Sequence, residues 1–258
     1  MMFPYKYTVE QFVAKKNDTA LVIPVLNEGE RIKNQLISLR NRNLNVDVIV
    51  VDGKSTDGSI QDIDFREMRL TALLTKECSG GLSRQLQIAF DFCIDNQYKY
   101  VITMDGNNKD DASGIEGIQS LLNSGFDFVQ GSRFIAGGVA VNTPRSRLFG
   151  VRFIHSPVTS FASRNRITDS TNGFRGHSMS MLCDPKMSIF RDVFETYELV
   201  AYIPIRAGKL KYRIKESPVS RSYPAHGATP TKIVGLWANF KLFKILLLAA
   251  LGAFNPNH

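Results

Sequence analysis

An open, mostly parallel α/β sheet with helices on both faces is the fold class this sequence predicts. Three observations point to it. Near-continuous apolar runs at Ala20–Leu26 (ALVIPVL) and Val46–Val51 (VDVIVV) read as strands buried on both faces. These runs alternate with amphipathic segments, which implies parallel strands joined by right-handed crossovers. Three strands end in Asp- or Asn-bearing turns, at Asn27-Glu28, Asp52 and Asp105. In a parallel sheet those ends share one edge, so their polar groups converge where ligands bind.

Residues 1–18 are a polar lead-in with one short helix expected over Val9–Lys15. In the strand Ala20–Leu26, Pro24 sits near the end, where a missing N–H matters least. After the turn Asn27-Glu28-Gly29, Ile32, Leu36 and Leu39 recur at i, i+4 and i+7, the stripe of a helix packed on the sheet. Val46–Val51 runs into Asp52-Gly53-Lys54-Ser55, and Leu70–Thr75 is the third strand. Gly80-Gly81-Leu82-Ser83 opens a long helix with Leu82, Leu86, Ala89, Phe90 and Cys93 on its apolar side. Tyr98–Asp105 is the fourth strand, Gly114–Asn123 a helix and Phe126–Gln130 the fifth strand. Gly137–Arg147 reads as a flexible loop, with amphipathic segments at Tyr197–Ile205 and Leu210–Ile214.

Apolar content of 43% and charged content of 22% are those of an ordinary globular chain. The net charge of +8 is unevenly placed. Residues 1–130 carry 14 Lys/Arg against 18 Asp/Glu, whereas residues 131–258 carry 18 against 6. That asymmetry points to an anionic partner of the second half: phosphates, a membrane surface or nucleic acid. No nucleic-acid reading module accompanies it, so nucleic acid is not expected. Cys78, Cys93 and Cys183 are odd in number and lack CxxC spacing, which suggests a reducing compartment without a disulfide frame. The four histidines form no close ligand pair, which argues against zinc. The N-terminal residues show no apolar core of a secretory signal, so a cytoplasmic location is expected.

The chemistry centres on Val101–Asp111 (VITMDGNNKDD), where a buried strand runs into a carboxylate. A carboxylate there is costly unless it holds a metal, a hydroxyl or a cation. Asp105 and Asn107 are expected to face the phosphates of a nucleotide sugar, although Asp-Gly and Asn-Asn are also ordinary turn formers. A nucleoside-diphosphate sugar needs acceptors for base and ribose, a cation on its pyrophosphate, positive groups for the leaving diphosphate and an acceptor held in line. The acidic half suits the first two needs and the basic half the last two.

The segments PVLNEGE (Pro24–Glu30), VIVVDGKSTDGS (Val48–Ser59), GGLSRQLQIAF (Gly80–Phe90), MDGNNKD (Met104–Asp110), QGSRFIAGG (Gln130–Gly138) and DSTNGFRGHS (Asp169–Ser178) follow in order. Together they resemble glycosyltransferase family 2, within it the dolichyl-phosphate mannose synthase-like and polyprenyl-phosphate glycosyltransferase branch. The resemblance implies a GT-A (Rossmann-like) fold, a nucleotide-sugar donor and a divalent cation, Mg²⁺ or Mn²⁺. By position, Pro24, Asn27 and Glu28 match the first nucleotide-contacting turn and Asp52 the carboxylate holding base or ribose. Asp105 matches the first Asp of the DxD-like metal motif, with Gly106 and Asn107 completing it. Arg133 matches the arginine near the acceptor phosphate, and Asp169, Gly173, Phe174 and Arg175 match a D-x-T-S-G-F-R stretch.

The departures carry information. Asn107 in place of the second Asp removes a negative charge from the metal shell, and Lys109 stands where the family often has Gln, so weak cation binding is expected. No carboxylate after GFRGHS is spaced as the base of hydroxyl-acceptor members, which favours an acceptor that is already a phosphate. Glu195 and Glu198 remain candidates for a base or for a polar helix face. Arg145 and Arg147 offer guanidinium forks to an acceptor phosphate, and His226 lies in the loop Arg221–Gly227, which resembles the family's mobile segment over the donor.

The expected organisation is a glycosyltransferase domain over 1–231, its nucleotide-sugar half 1–130 and acceptor half 131–231, then a C-terminal apolar helix over 232–258. Within Ile233–Phe254, Asn239, Lys241 and Lys244 interrupt the apolar run, and both lysines share a face with Trp237. That pattern fits a helix lying in the membrane interface; a core-packed helix and a true span are the alternatives. The resulting expectation is an inverting transferase acting on a lipid-phosphate acceptor at the cytoplasmic membrane face. Transfer to a sugar hydroxyl and a non-catalytic polyanion-binding module stay open beside it.

Overall fold

The computed structural model describes residues 5–224 and 235–256. His226 and its neighbours 225–227 lie outside the described residues, as do residues 232–234 of the C-terminal segment. In chain order the elements are β1 (Tyr7–Gln11), β2 (Thr19–Val25), α1 (Glu30–Arg42), β3 (Asp47–Asp52), β4 (Ala72–Lys76), α2 (Leu82–Asp95), β5 (Tyr100–Thr103), α3 (Gly114–Asn123), β6 (Phe128–Ser132) and β7 (Val139–Val141). There follow α4 (Arg145–Gly150), a π-helical turn (Val151–His155), α5 (Ser156–Ser163), β8 (Arg175–Ser178), α6 (Met179–Leu182), α7 (Glu198–Lys209), β9 (Ile214–Pro218), β10 (Ser220–Ser222) and α8 (Gly235–Leu251).

Eight strands form the main sheet in the order β1-β4-β3-β2-β5-β8-β6-β9. β4, β3, β2 and β5 run parallel to one another, β1 is antiparallel to β4, and β8 enters antiparallel between β5 and β6. Period-two alternation in β2 divides the core. Ala20 and Val22 face a layer with Phe90 of α2 and Tyr202 of α7, while Leu21, Ile23 and Val25 face Ile32 and Leu36 of α1 and Ile115 of α3. Strand order reverses at β2, whose neighbours are β3 and β5. The crevice at the carboxyl ends of β2 and β5 is therefore where an open α/β sheet binds its ligands.

Three local expectations change. The N-terminal helix expected over Val9–Lys15 is absent: Val9–Gln11 belong to strand β1, which pairs antiparallel with β4, and residues 12–15 form no helix or strand. The open hydrogen-bonding edge of β4 outweighs a weak helical pattern. The expected loop Gly137–Arg147 holds β7, paired in parallel with β10, and the start of α4. Leu210–Ile214 is a turn with Lys211 at φ 64°, leading into β9.

Helix α8 serves two environments. Ile245, Leu246 and Ala249 are buried against α5 and α7, whereas Trp237 is 84% exposed and Phe240 59%. No helix among the described residues is long and apolar enough to cross a membrane.

Candidate active site

The turns that end β2 and β3 are stitched together. Asn27 takes a left-handed backbone (φ 51°), donates its N–H to Ser55 Oγ at 2.9 Å and accepts Thr56 N–H on Oδ1 at 2.8 Å. Asp52, buried at the strand end, accepts from the Ser55 hydroxyl at 2.6 Å and from the Ser55 N–H. Gln85 of α2 donates to the carbonyls of both Val25 and Val51 at 2.8 Å, clamping the two strand ends. A rigid platform results at the crevice.

Asp105 follows β5 on this platform, and two glycines make its position possible. A Cβ on Gly106 would lie 3.0 Å from the Pro24 carbonyl, and one on Gly173 would lie 2.4 Å from Asp105 Oδ1. The 109–111 segment then pairs with β10 through Ser222 N–H to Lys109 O and Asp111 N–H to Ser220 O. That pairing delivers Arg221. Its Nη2 lies 2.7 Å from Asp105 Oδ2 and its Nη1 2.5 Å from Asp110 Oδ2. Burial opposes ionisation of Asp105, but Arg221, Lys109 and Asn107 together outweigh it and hold its pKa below the ordinary carboxylate value. Asp110, wholly buried, is pushed up by desolvation despite the same arginine.

Lys109 is buried with its Nζ 5.0 Å from the Tyr223 ring centroid, and Arg147 Nη1 donates to Tyr223 Oη at 3.1 Å. Desolvation, then the charge of Arg221, pushes Lys109 down to about 8. Arg175 is buried and donates to three backbone carbonyls, Asn172 at 2.9 Å, Val200 at 2.6 Å and Ser170 at 2.6 Å. Burial pushes it down to about 10.

One cavity of about 570 Å³ gathers much of this. Of the residues marked in the sequence, Pro24, Glu28, Asp105, Gly106, Asn107, Lys109, Arg147, Gly173 and Arg175 line it. Asn27 and Asp52 are not on its wall; they hold the turns at the ends of β2 and β3 together. Arg133 and Asp169, expected near an acceptor, instead hold each other: both side chains are buried, and Arg133 donates through Nε at 2.6 Å and Nη2 at 2.8 Å to the Asp169 carboxylate. Arg145, at the start of α4, is not on the cavity wall. Neither Glu195 nor Glu198 is there either; the Glu198 carboxylate accepts from the Thr196 hydroxyl at 2.7 Å, and the Glu195 carbonyl accepts from Gly81 N–H. His177 does line the cavity, but it sits between the Phe90 and Phe128 rings, and burial pushes its pKa down to about 3, which favours the neutral imidazole.

Sequence reasoning missed Asp110 and Gln85, and it placed Arg221 and Tyr223 in the loop over the donor without giving either a role beside Asp105. An arginine inside the otherwise weakly polar stretch SPVSRSY was the available signal for Arg221.

A divalent cation needs several oxygens. Asp105 supplies a carboxylate, and Asn107 Oδ1 is buried without a hydrogen-bond partner on the same cavity wall. These two fit one side of such an ion, with Arg221 competing for Asp105. No cluster of three or more His, Cys, Asp or Glu suited to a metal occurs among the described residues.

The family model "Glycosyl transferase family 2" matches residues 20–197. An undecaprenyl-phosphate mannosyltransferase of Micrococcus luteus is 27% identical over 203 residues, 77% of this chain and 81% of that protein. A UDP-N-acetylglucosamine–dolichyl-phosphate N-acetylglucosaminyltransferase of Methanococcus voltae is 25% identical over 256 residues, 90% of this chain and 96% of that protein. Among solved structures, glucosyl-3-phosphoglycerate synthase of Mycobacterium tuberculosis with Mn²⁺, UDP and glucosyl-3-phosphoglycerate superposes with a TM-score of 0.58 at 14% identity. The match covers 93% of this chain and 81% of that one.

Proposed function

The chain belongs to glycosyltransferase family 2, with a GT-A-like fold, and from that premise we propose that it moves a sugar, with inversion, from a nucleoside-diphosphate sugar to a lipid phosphate of the polyprenyl kind. The observation that carries this reading is the cavity itself. At the carboxyl edge of β2 and β5 it sets the Asp105 carboxylate among the cations Lys109, Arg147, Arg175 and Arg221, with Glu28 also on the wall. Such a wall suits two phosphate groups facing each other, one leaving and one attacking. The relatives named for undecaprenyl-phosphate and dolichyl-phosphate transfer support the acceptor class.

In the proposed reaction an acceptor phosphate oxygen forms a bond to the anomeric carbon as the bond from that carbon to the donor diphosphate breaks. The nucleoside diphosphate leaves with the bonding pair. The attacking phosphate is already ionised at neutral pH and needs no base, in keeping with the absence of Glu195 and Glu198 from the cavity wall. Pro24, Glu28 and the braced turn of Asn27 and Asp52 form the donor's nucleoside end. Lys109 and Arg221 face the diphosphate and offset the charge that develops on it. Arg147 addresses the acceptor phosphate, while Arg133, Asp169 and Arg145 support that half from outside the cavity. A magnesium- or manganese-type ion, held weakly by Asp105 and Asn107, would add Lewis-acid stabilisation of the diphosphate.

A lipid acceptor places the enzyme against a membrane. The exposed Trp237 and Phe240 beside Lys241 and Lys244 give α8 the amphipathic face of a peripheral anchor, here on the cytoplasmic side.

A thermal-shift panel of UDP-, GDP- and CDP-sugars with and without Mn²⁺ tests the donor, because binding stabilises the fold by mass action. Transfer of labelled sugar to undecaprenyl phosphate, abolished in Asp105→Ala, is the expected result. Stabilisation by no donor, or transfer to sugar hydroxyls alone, would overturn it.

A further inference from the structure

We propose that the far end of the same cavity, enclosed by α5, α7 and α8, seats the hydrocarbon chain of the acceptor. The inference rests on the lipid-phosphate reading above and supplies the chain-binding site that reading lacks.

The cavity has two chemically distinct ends. One carries Lys109, Arg147 and Arg221. At the other, Val200, Ile203 and Pro204 of α7 recur at i, i+3 and i+4, and Leu242, Ile245 and Leu246 of α8 repeat that spacing. Residues so spaced form one helix face, so two apolar stripes border one space. The polar lining groups beside these stripes are Thr159 and His155, Tyr197 at the start of α7, and Arg175. The Thr159 hydroxyl is committed to the His155 carbonyl at 2.9 Å and Arg175 to backbone carbonyls including that of Val200, while burial pushes the His155 pKa down.

This end makes few hydrogen-bonding offers. A ribose, base or hexose placed there would bury hydroxyls or amides without partners, at a cost of about 1–3 kcal/mol for each group left unmade. A hydrocarbon suffers no such cost and gains by burial. The volume of about 570 Å³ falls within the range of small-molecule sites. An amphiphile with one anionic head and a featureless tail is the ligand that satisfies both ends at once. Phe240 and Trp237 stand exposed on α8, on the side of the helix away from the Leu242, Ile245 and Leu246 stripe.

Displacement of 1-anilinonaphthalene-8-sulfonate from the full chain by n-alkyl monophosphates, from butyl to hexadecyl, reads the site directly. Affinity is expected to rise by roughly fourfold per methylene while the tail remains inside, then to level off. Leu246→Trp, which fills the apolar end, should flatten the series and raise KM for undecaprenyl phosphate about tenfold while the donor-induced thermal shift persists. Leu242→Ala, which enlarges the site without crowding it, should move the plateau to longer chains, and it carries the test if the tryptophan variant misfolds. Affinity independent of chain length in the wild type, or a series unchanged by both variants, overturns the proposal. A flat series beside intact transfer to undecaprenyl phosphate rejects the chain site alone; loss of that transfer in the wild type rejects the acceptor reading and the site with it.

Discussion

The Arg221 guanidinium stands 2.7 Å from the Asp105 carboxylate, the group that the sequence marks for a metal, and its other Nη reaches Asp110 at 2.5 Å. A resident cation thus already occupies one side of Asp105. Any divalent ion must share or displace it. Arg221→Gln removes that competitor, and donor-free Mn²⁺ affinity, measured by calorimetry, is expected to increase. It also leaves Asp110 buried without its counter-ion, so urea unfolding should show a loss of about 3–5 kcal/mol. Mn²⁺ affinity at or below the wild-type value would show that Arg221 does not compete.

Arg175 completes helix α7. Pro204 has no N–H to offer the Val200 carbonyl four residues earlier, and Arg175 Nη1 donates to it at 2.6 Å. The same guanidinium serves the carbonyls of Asn172 and Ser170. Arg175→Lys keeps the charge but cannot reach three carbonyls in different directions. Two abandoned buried acceptors cost about 2–6 kcal/mol together, so the variant should unfold at markedly lower urea. Pro204→Ala restores a backbone donor to Val200, and in that background the penalty of Arg175→Lys should shrink. A double-mutant cycle with no coupling would refute the link.

The sheet was legible because its parallel strands are buried on both faces and end in polar turns. Helix Gly114–Asn123 has the bounds its apolar spacing predicts, and Ile32, Leu36 and Leu39 all face the core. The carboxyl-edge residues were legible for the same reason, since strand ends place them. What could not be read were pairings across long sequence separations. Arg221 meets Asp105 across 116 residues and Asp110 across 111, and no local pattern encodes either encounter. Arg133 and Asp169 have residue types that suit an acceptor site, and only the fold shows that each neutralises the other. Strand β1 is short and at the sheet edge, where Tyr7 alone is half-buried, so hydrophobic alternation is too weak to outvote a helical reading.

Arg133 and Asp169 form an ion pair with 2% and 0% of their side chains exposed. Removing one partner strands the other charge away from water. Asp169→Ala is expected to cost about 3–5 kcal/mol, read from chemical unfolding. Arg133→Met with Asp169→Leu removes both charges and should recover most of that loss. A double variant as unstable as the single one would mean that the pair stabilises by geometry specific to this site.

Membrane docking through α8 predicts a split between apolar and electrostatic terms. In co-sedimentation with phosphatidylglycerol vesicles, Trp237→Ser with Phe240→Ser should weaken binding at every salt concentration. Lys241→Gln and Lys244→Gln should each weaken it about fivefold at low salt, following about 1 kcal/mol per basic residue near an anionic surface, with little effect at high salt. Equal binding by all variants would remove α8 from the docking face.

The buried Lys109 makes donor binding pH-dependent in a direction its environment dictates. Desolvation brings its pKa down to about 8, so the donor-free enzyme holds the ammonium below that pH and loses it above. A diphosphate favours the charged form, and binding near pH 8.5 should draw a proton from solvent. Calorimetry in buffers of different ionisation enthalpy measures that uptake. Donor affinity should be steady below pH 8 and fall above it; Lys109→Arg should remove both the fall and the uptake, and Lys109→Met should be weak throughout. The stability of the free enzyme moves the opposite way. Between about 8 and the ordinary lysine value the unfolded chain binds more protons, so this residue's contribution to folding improves as pH rises through that window. Donor affinity that rises with pH while stability falls would place Lys109 away from the diphosphate.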